Sequence, residues 1–298
     1  MIRKIFSGFL CRRKSGRALR AGRYFLCAAA GLLLFAGLCF ARDRWQVSVS
    51  HDDFELIGQK IFYNEAGGNA DLVACWNEGE DFLSLGVGHF IWYQKGKEKG
   101  FMESFPEFLY FMQTRGEKIP DWLTKMKRDG YPWKSREEFM SNMHPEELAG
   151  LRSFLNRTRT LQIMFIFDRL NRALPFMVAA EPKVSRNIEF QFRRLISTPG
   201  GIYALVDYVN FKGEGILDGE SYKGHRWGLL QVLKSMRGKD EGLGALKEFS
   251  ACAGRLLKIR VRNTPAGVHE ERWLPVWERR LKTYVDSYGM FKNSAAQL

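Results

Sequence analysis

The sequence predicts an α+β fold that is mainly α, in which a small β-hairpin wing follows the first helix of a helical bundle. Apolar residues recur at three- and four-residue spacing through most of the chain after residue 50, as in helices with one buried face. Residues 82–93 (FLSLGVGHFIWY) instead alternate and contain glycines and aromatics, which is typical of a strand pair. Residues 42–298 contain no internal repeat and no Pro- or Ser-rich linker, which favours a single domain.

The first 41 residues have the layout of a secretory leader. Eight Lys or Arg residues and no acid accompany an apolar run from Tyr24 to Ala41, with small residues where a signal peptidase would cut. An uncleaved membrane anchor is the alternative, because 18 apolar residues lie at the short end of what spans a bilayer. In both cases we expect residues 42–298 to be exported to the periplasm, with the inner membrane as a partner if the leader is uncleaved.

The net charge of +13 is high enough to suggest a nucleic-acid partner, but its distribution argues against one. Without the eight positive charges of residues 1–41, about +5 remains on residues 42–298. A mildly basic body of this kind is compatible with an anionic cell-surface polymer. We therefore expect no nucleic-acid partner.

Helix boundaries follow from stop and start signals. The first helix is expected over residues 52–63, and Gly67-Gly68 ends it. Ser104 with Glu107, and Ser135 with Glu138, have the spacing of capping boxes, and Thr198-Pro199 opens a helix that runs to about residue 211. Helical spacing predicts the remaining helices near residues 145–156, 160–178, 183–197, 225–237, 241–260 and 270–288.

Two cysteines remain after the leader, Cys75 and Cys252. A disulfide between them is chemically permitted outside the cytoplasm, and two separate buried thiols are the alternative. Since two cysteines are too few for a disulfide scaffold, the fold must depend on a hydrophobic core.

Residues 64–89 concentrate acidic side chains beside apolar ones. Enzymes use this arrangement to separate the pKa values of two carboxyls, as glycoside hydrolysis requires. Glu65 is the candidate general acid, because Phe62, Tyr63 and Trp76 could desolvate it and raise its pKa. The second carboxyl could be any of three residues, namely Glu78, Glu80 and Asp81.

Glu65, a turn and then residues 84–89 (SLGVGH) together resemble the active-site stretch of phage-type lysozymes, where a catalytic Glu ends the first helix and a hairpin carries an acid followed by Thr-x-Gly-x-Gly-His. Residues 65–69 (EAGGN) are also similar to the Glu-Ser-Gly opening of goose-type lysozymes and lytic transglycosylases. The resemblance implies a lysozyme-like helical bundle in an exported bacterial protein. By position it gives Glu65 the role of general acid, and Ser84 that of the hydroxyl residue beside the nucleophile or water. Glu78 lies nearest the family's hairpin acid.

A second set of residues follows at 207–215 and 227–232. Residues 228–232 (GLLQV) resemble the Gly-Leu-Met-Gln element of lytic transglycosylases. In a functional interpretation Asn210, Lys212 and Glu214 reach the far wall of a sugar cleft, with Gln231 behind them. The alternative is an ordinary helix C-terminus with left-handed glycines and a buried Trp.

Three further side chains of the wing are candidates for binding. Trp92 and Tyr93 could stack on a pyranose ring, or they could be core residues. His89 is expected to orient backbone or carboxylate groups. The five histidines include no His-x-x-x-His pair and no nearby Cys, so we expect no metal, and no organic cofactor is implied.

The predicted function is cleavage of the β-1,4 bond between N-acetylmuramic acid and N-acetylglucosamine in peptidoglycan glycan strands. If Glu78, Glu80 or Asp81 faces Glu65 across a cleft, the reaction is hydrolysis by a muramidase. If none does, Glu65 works alone and internal attack by the muramyl 6-hydroxyl gives the lytic transglycosylase reaction. The alternative is a non-catalytic peptidoglycan-binding or envelope-scaffold protein with a lysozyme-like fold.

Overall fold

The structure is a computed structural model that describes residues 49–97, 103–141, 145–216 and 221–295. This part of the chain is mainly helical and contains a small three-stranded antiparallel sheet, which confirms the predicted α+β class. From His51 onward it belongs to one compact unit. The predicted leader, residues 1–41, lies outside the described residues. Within the described ranges, no helix combines the length and the apolar character needed to cross a membrane.

The elements are numbered here in chain order. The α-helices are α1 His51–Ala66, α2 Phe105–Thr114, α3 Asp121–Asp129, α4 Arg136–Met140, α5 Pro145–Arg157, α6 Arg159–Ala180, α7 Ser185–Ile196, α8 Gly201–Lys212, α9 Leu229–Ser235, α10 Leu243–Asn263, α11 Leu274–Asp286 and α12 Tyr288–Ala295. The strands are β1 Ala74–Cys75, β2 Phe82–Leu85 and β3 Phe90–Tyr93. Short 3-10 helices cover Ala70–Val73, Pro182–Val184 and Glu270–Trp273.

Helix α1 buries one apolar face and ends where the sequence predicted. Phe54, Ile57 and Ile61 are buried, and the helix packs against α6. Gly67 and Gly68 follow it with φ values of 58° and 82°, a conformation that glycine adopts without steric cost. The helix runs to Ala66, so residue 65 lies in its last turn.

The β wing is a hairpin with one additional short strand. Strands β2 and β3 pair antiparallel, with Ser84 opposite Ile91, and β1 pairs with the other edge of β2, with Cys75 opposite Ser84. The predicted hairpin is confirmed. Strand β1 was not predicted, because two residues carry no detectable alternation.

The two predicted capping boxes have different outcomes. Ser135 accepts a hydrogen bond from the Glu138 amide at 3.3 Å, which confirms the cap of α4. Helix α2 begins directly after Ser104, but the prediction that Ser104 and Glu107 form a capping box is wrong. The Ser104 hydroxyl instead accepts from the Ile91 amide at 2.9 Å and connects α2 to β3.

The helix predicted from Thr198-Pro199 begins slightly later, at Gly201. The Thr198 hydroxyl donates to the Arg194 carbonyl and so belongs to the end of α7. Cys75 and Cys252 form no disulfide with each other. Of the two alternatives for the cysteines, the structure therefore shows separate thiols.

Candidate active site

The end of α1, the β wing, α8 and α11 meet at a groove of about 490 Å³. Side chains from all four segments line it. Those that matter for chemistry are Glu65, Asn77, His89, Trp277, Arg279 and Arg280. A second concavity, about 610 Å³ in volume, lies at the connection between α6 and α7, but its lining contains no carboxylate. The chemistry therefore concentrates in the first groove.

Glu65 is buried at the floor of this groove, with its side chain only 4% exposed. Its Oε1 accepts from Arg280 Nη2 at 2.5 Å and from Asn210 Nδ2 at 3.0 Å. Its Oε2 lies 3.1 Å from His89 Nε2. These three donors leave one of the roughly four acceptor positions of a carboxylate open, on Oε2.

Arg280 joins Glu65 to a second buried carboxylate, Asp207. Its Nε donates to Asp207 Oδ2 at 2.7 Å and its Nη2 to Asp207 Oδ1 at 2.8 Å. Asp207 also accepts from Tyr284 at 2.6 Å and from Asn64 at 3.2 Å. Every Asp207 contact is a donor, so this carboxylate holds the guanidinium in place.

The surroundings of Glu65 lower its pKa, contrary to the sequence prediction. Burial raises the pKa and is the largest single influence, but the charge of Arg280 and the hydrogen bonds of His89 and Arg280 outweigh it and lower the pKa to about 2. The expected desolvation by Tyr63 is wrong, because that ring is 71% exposed. Glu65 is therefore ionised in the free protein.

A hydrogen-bonded chain runs from Ser84 through His89 to Glu65. Ser84 Oγ lies 3.0 Å from His89 Nδ1, on the side of the ring away from Glu65. Since an ionised carboxylate only accepts, a neutral His89 must carry its proton on Nε2 and accept from the Ser84 hydroxyl. Ser84 is buried and does not line the groove, so this chain orients the imidazole and differs from a serine-nucleophile arrangement.

The turn that carries His89 packs too tightly for larger residues. A Cβ on Gly86 would clash with the amide of Gln162, which is fully buried and accepts from the Val87 amide at 2.8 Å. A Cβ on Gly88 would clash with the Phe90 ring. His89 itself has a φ of 46°, uncommon outside glycine. The Gly-x-Gly-His string therefore presents a strained histidine to the groove.

The three candidates for the second catalytic carboxyl, Glu78, Glu80 and Asp81, lie in different environments. Glu78 and Asp81 are exposed and are not among the groove-lining residues. Glu80 does not line the groove either, but it is partly buried, and its Oε2 accepts at 2.9 Å from the amide of Asn77, which does line the groove. Burial raises the pKa of Glu80, against the opposing effects of Asn77 and of His89. Of the three candidate acids, Glu80 is therefore the one with a raised pKa.

The sugar-stacking prediction for Trp92 and Tyr93 is wrong. Both are 3% exposed and absent from the groove. Trp92 packs on Phe105 at 4.9 Å between ring centroids, and Tyr93 packs on Phe82 at 5.4 Å. They belong to the core of the wing, the alternative that the sequence left open.

The candidate residues of the second set, at 207–215 and 227–232, have different outcomes. Asn210 lies next to Glu65, and its amide also donates to the Val87 carbonyl at 3.1 Å, connecting α8 to the wing turn. Lys212, Glu214 and Gln231 do not line the groove, and Lys212 is buried. Gln231 donates to the Gly215 carbonyl at 3.1 Å, and Glu214 lies 4.0 Å from Arg169, so their predicted places in the cleft are wrong.

Sequence reasoning missed Arg279, Arg280 and Trp277 in α11. Arg280 is separated from Glu65 by 215 positions, and its helix has an ordinary amphipathic pattern. Asp207 carried a usable signal, because it is an acid within a helix that is otherwise almost entirely buried.

The described residues contain no group of three or more His, Cys, Asp and Glu side chains that could hold a metal ion. The groups at the groove floor, a carboxylate, an imidazole and a guanidinium, suit proton transfer and charge stabilisation. No protein-family model, no curated protein and no solved structure matches this chain.

Proposed function

We propose that this protein cleaves peptidoglycan glycan strands at the β-1,4 bond between N-acetylmuramic acid and N-acetylglucosamine, as an exported glycosidase with a lysozyme-like fold. The observation that carries the proposal is a buried carboxylate, Glu65, that ends the first helix, contacts a β wing and lies at the floor of a groove. The resemblance of residues 65–69 and 84–89 to lysozyme active-site stretches supports the same function.

Glu65 takes the role of the ionised carboxylate. A carboxylate with a pKa of about 2 cannot donate a proton near neutrality, so the expectation that it is the general acid is revised. Its open acceptor position on Oε2 can hold a water molecule or a substrate hydroxyl. Its negative charge can stabilise the oxocarbenium-like transition state of glycoside hydrolysis.

Glu80 takes the role of proton donor. It is the acid of the wing loop with a raised pKa, and its partner Asn77 reaches the groove. Two carboxyls whose pKa values are shifted in opposite directions are the arrangement that glycosidases use to separate acid from base. With two carboxyls taking part, we propose hydrolysis rather than internal attack by the muramyl 6-hydroxyl.

Digestion of purified sacculi tests the proposal. Wild-type protein should release soluble fragments between pH 4 and 8, while Glu65→Gln and Glu80→Gln should each reduce the rate by about 10²–10⁴-fold. Glu78→Gln is the matched control, since Glu78 is an exposed acid of the same loop, and it should keep the wild-type rate. No release by wild type at any of these pH values contradicts the proposal.

Mass spectrometry of the fragments separates the two possible reactions. Hydrolysis leaves reducing ends, and these are the expected products. Fragments with 1,6-anhydro ends would instead mean that Glu65 acts alone, and they would remove Glu80 from the mechanism.

One observation favours a second candidate function, non-catalytic glycan binding. Arg280 and Asn210 occupy Oε1 of Glu65, and a buried carboxylate paired with a guanidinium is also what a structural ion pair requires. A binding protein would retain sacculi without releasing fragments, and Glu65→Gln would leave retention unchanged. The sacculus assay therefore distinguishes the two functions.

A further inference from the structure

One nitrogen of the Arg280 guanidinium, Nη1, takes no part in the hydrogen bonds of the buried cluster. Nε and Nη2 make all of its contacts with Asp207 and Glu65. Nη1 makes no hydrogen bond to any described residue, and it is not among the described polar atoms that are buried without a partner. Arg280 lines the groove and its Nε and Nη2 are engaged, so Nη1 is the nitrogen that it can offer to a ligand there.

Arg279, the preceding residue, adds a second cation to the same wall. It is exposed, lines the groove and forms no ion pair with any described residue. Its charged neighbours on α11 are paired, Glu278 with Lys258 at 3.0 Å and Lys282 with Asp286 at 2.6 Å. Since Glu278 and Lys282 are paired, the positive charge of Arg279 is the one that a ligand in the groove can bind.

We propose that the groove binds a carboxylate of its glycan ligand between Arg279 and Nη1 of Arg280. The inference rests on the proposed function and narrows its substrate class to glycans that carry acidic groups. Guanidinium groups bind carboxylates through charge-assisted hydrogen bonds of defined geometry. Glu65 and Asp207 together carry one more charge than Arg280, so Arg279 balances this excess and Arg280 supplies an oriented donor.

The chemistry of the glycan offers two sources for this carboxylate. The lactyl ether of N-acetylmuramic acid ends in a free carboxylate when its peptide has been removed. When the peptide is attached, that carboxyl is an amide and the carboxylates lie on the peptide. Oligomers of N-acetylglucosamine have the same backbone linkage and no carboxylate, so they are the neutral reference ligand.

Calorimetric titration of full-length protein in a Glu80→Gln background tests the inference, because this change removes the proposed proton donor and keeps Glu65, Arg279 and Arg280. Denuded glycan strands and peptide-bearing strands are compared with N-acetylglucosamine oligomers of equal length. We expect about tenfold tighter binding of at least one acidic ligand, and the acidic ligand that shows it identifies the source of the carboxylate.

Adding Arg279→Gln should abolish this preference and leave binding of the neutral oligomer unchanged. Arg262→Gln is the matched control, since Arg262 is exposed on α10 and does not line the groove, and it should keep the preference. Equal binding of acidic and neutral ligands, or a preference that survives Arg279→Gln, overturns the inference, and glycan cleavage by wild type would still stand. Binding of no ligand overturns both proposals.

Discussion

Two buried arginine–carboxylate clusters stabilise the helical bundle, and the difference between them distinguishes a structural ion pair from a candidate catalytic one. In the first, Arg260 donates to both oxygens of Glu270, at 2.7 and 2.5 Å, and its guanidinium lies 4.0 Å from the Trp227 ring. Glu270 also accepts from Tyr222 at 3.1 Å, the buried Lys212 interacts electrostatically with Arg260 and Glu270, and neither of these two lines the groove. Such a closed pair contributes to the fold and leaves nothing to bind a substrate.

The second cluster has an excess of negative charge and an open side. Arg280 serves two carboxylates, Glu65 and Asp207, and the groove reaches both Glu65 and Arg280. Burial of an unbalanced charge is costly, and proteins keep such arrangements where the charge is used. The comparison indicates that the number of partners and the access to a groove, rather than burial alone, identify the functional pair.

The sharpest test of this difference replaces one carboxylate with an amide in each cluster, Glu65 in the open cluster and Glu270 in the closed pair. Glu65→Gln should reduce fragment release from sacculi by about 10²–10⁴-fold, and it should lower the free energy of unfolding near neutrality by up to about 3 kcal/mol, because it removes the charge that Arg280 and His89 stabilise. Glu270→Gln should leave activity within a few-fold of wild type and lower the free energy of unfolding by about 3–5 kcal/mol, because Arg260 loses its charge partner. Activity assays and urea unfolding of both variants decide, and equal activity losses would break the comparison.

Asp207 should make the largest contribution to stability within the open cluster. Asp207→Asn leaves Arg280 with a single charged partner, and we expect the free energy of unfolding to fall by about 3–5 kcal/mol. The matched change Asp286→Asn removes an exposed partner of Lys282 and should cost about 0–1 kcal/mol. Similar urea midpoints for the two variants would contradict the assignment of Asp207 as the residue that positions Arg280.

The lowered pKa of Glu65 predicts a loss of stability in acid. A carboxyl with a folded-state pKa of about 2 and an ordinary value of 4.5 stabilises the fold above the ordinary value, and this contribution is lost as the pH falls toward 2. We expect the loss to be on the order of 3 kcal/mol. Urea unfolding from pH 5 to pH 2 measures it, and Glu65→Gln should remove this part of the pH dependence. An identical pH dependence in the two proteins would show that Glu65 is not ionised by its surroundings.

The smallest predicted effect concerns the hydroxyl behind His89. Ser84→Ala removes the partner of Nδ1 and should lower the free energy of unfolding by about 1 kcal/mol, with a few-fold loss of activity. Ser141→Ala, which removes an exposed hydroxyl at the end of α4, is the control and should change neither quantity. Loss of activity as complete as in Glu65→Gln would give Ser84 a direct chemical role.

Much of the fold could be predicted from local patterns. The end of α1 at Gly67-Gly68, the β2–β3 hairpin and most later helices follow from periodicity and turn residues, which act over a few positions. Helix α3 was not predicted, since its amphipathic segment buries only Leu123 and Met126. The cap of α2 could not be predicted either, because the Ser104 hydroxyl was drawn to β3 by tertiary packing.

The candidate site could be predicted only in part. Glu65, Ser84, His89 and Asn210 were all selected from the sequence, and the structure brings them into one hydrogen-bonded group. The sign of the Glu65 pKa shift could not be obtained, because it depends on Arg280, which only the packing of α11 brings near. Local sequence patterns identified these four residues. The charge state of Glu65, however, depends on Arg280, which is distant in sequence.

The most direct measurement of the central claim is a ¹³C NMR titration of the Glu65 carboxyl, assigned by its loss in Glu65→Gln. The structure predicts that this carboxyl remains ionised from pH 7 down to pH 3, with a midpoint near 2, because Arg280 and His89 outweigh its burial. A midpoint at or above the ordinary value of 4.5 would contradict that account and would return the role of proton donor to Glu65.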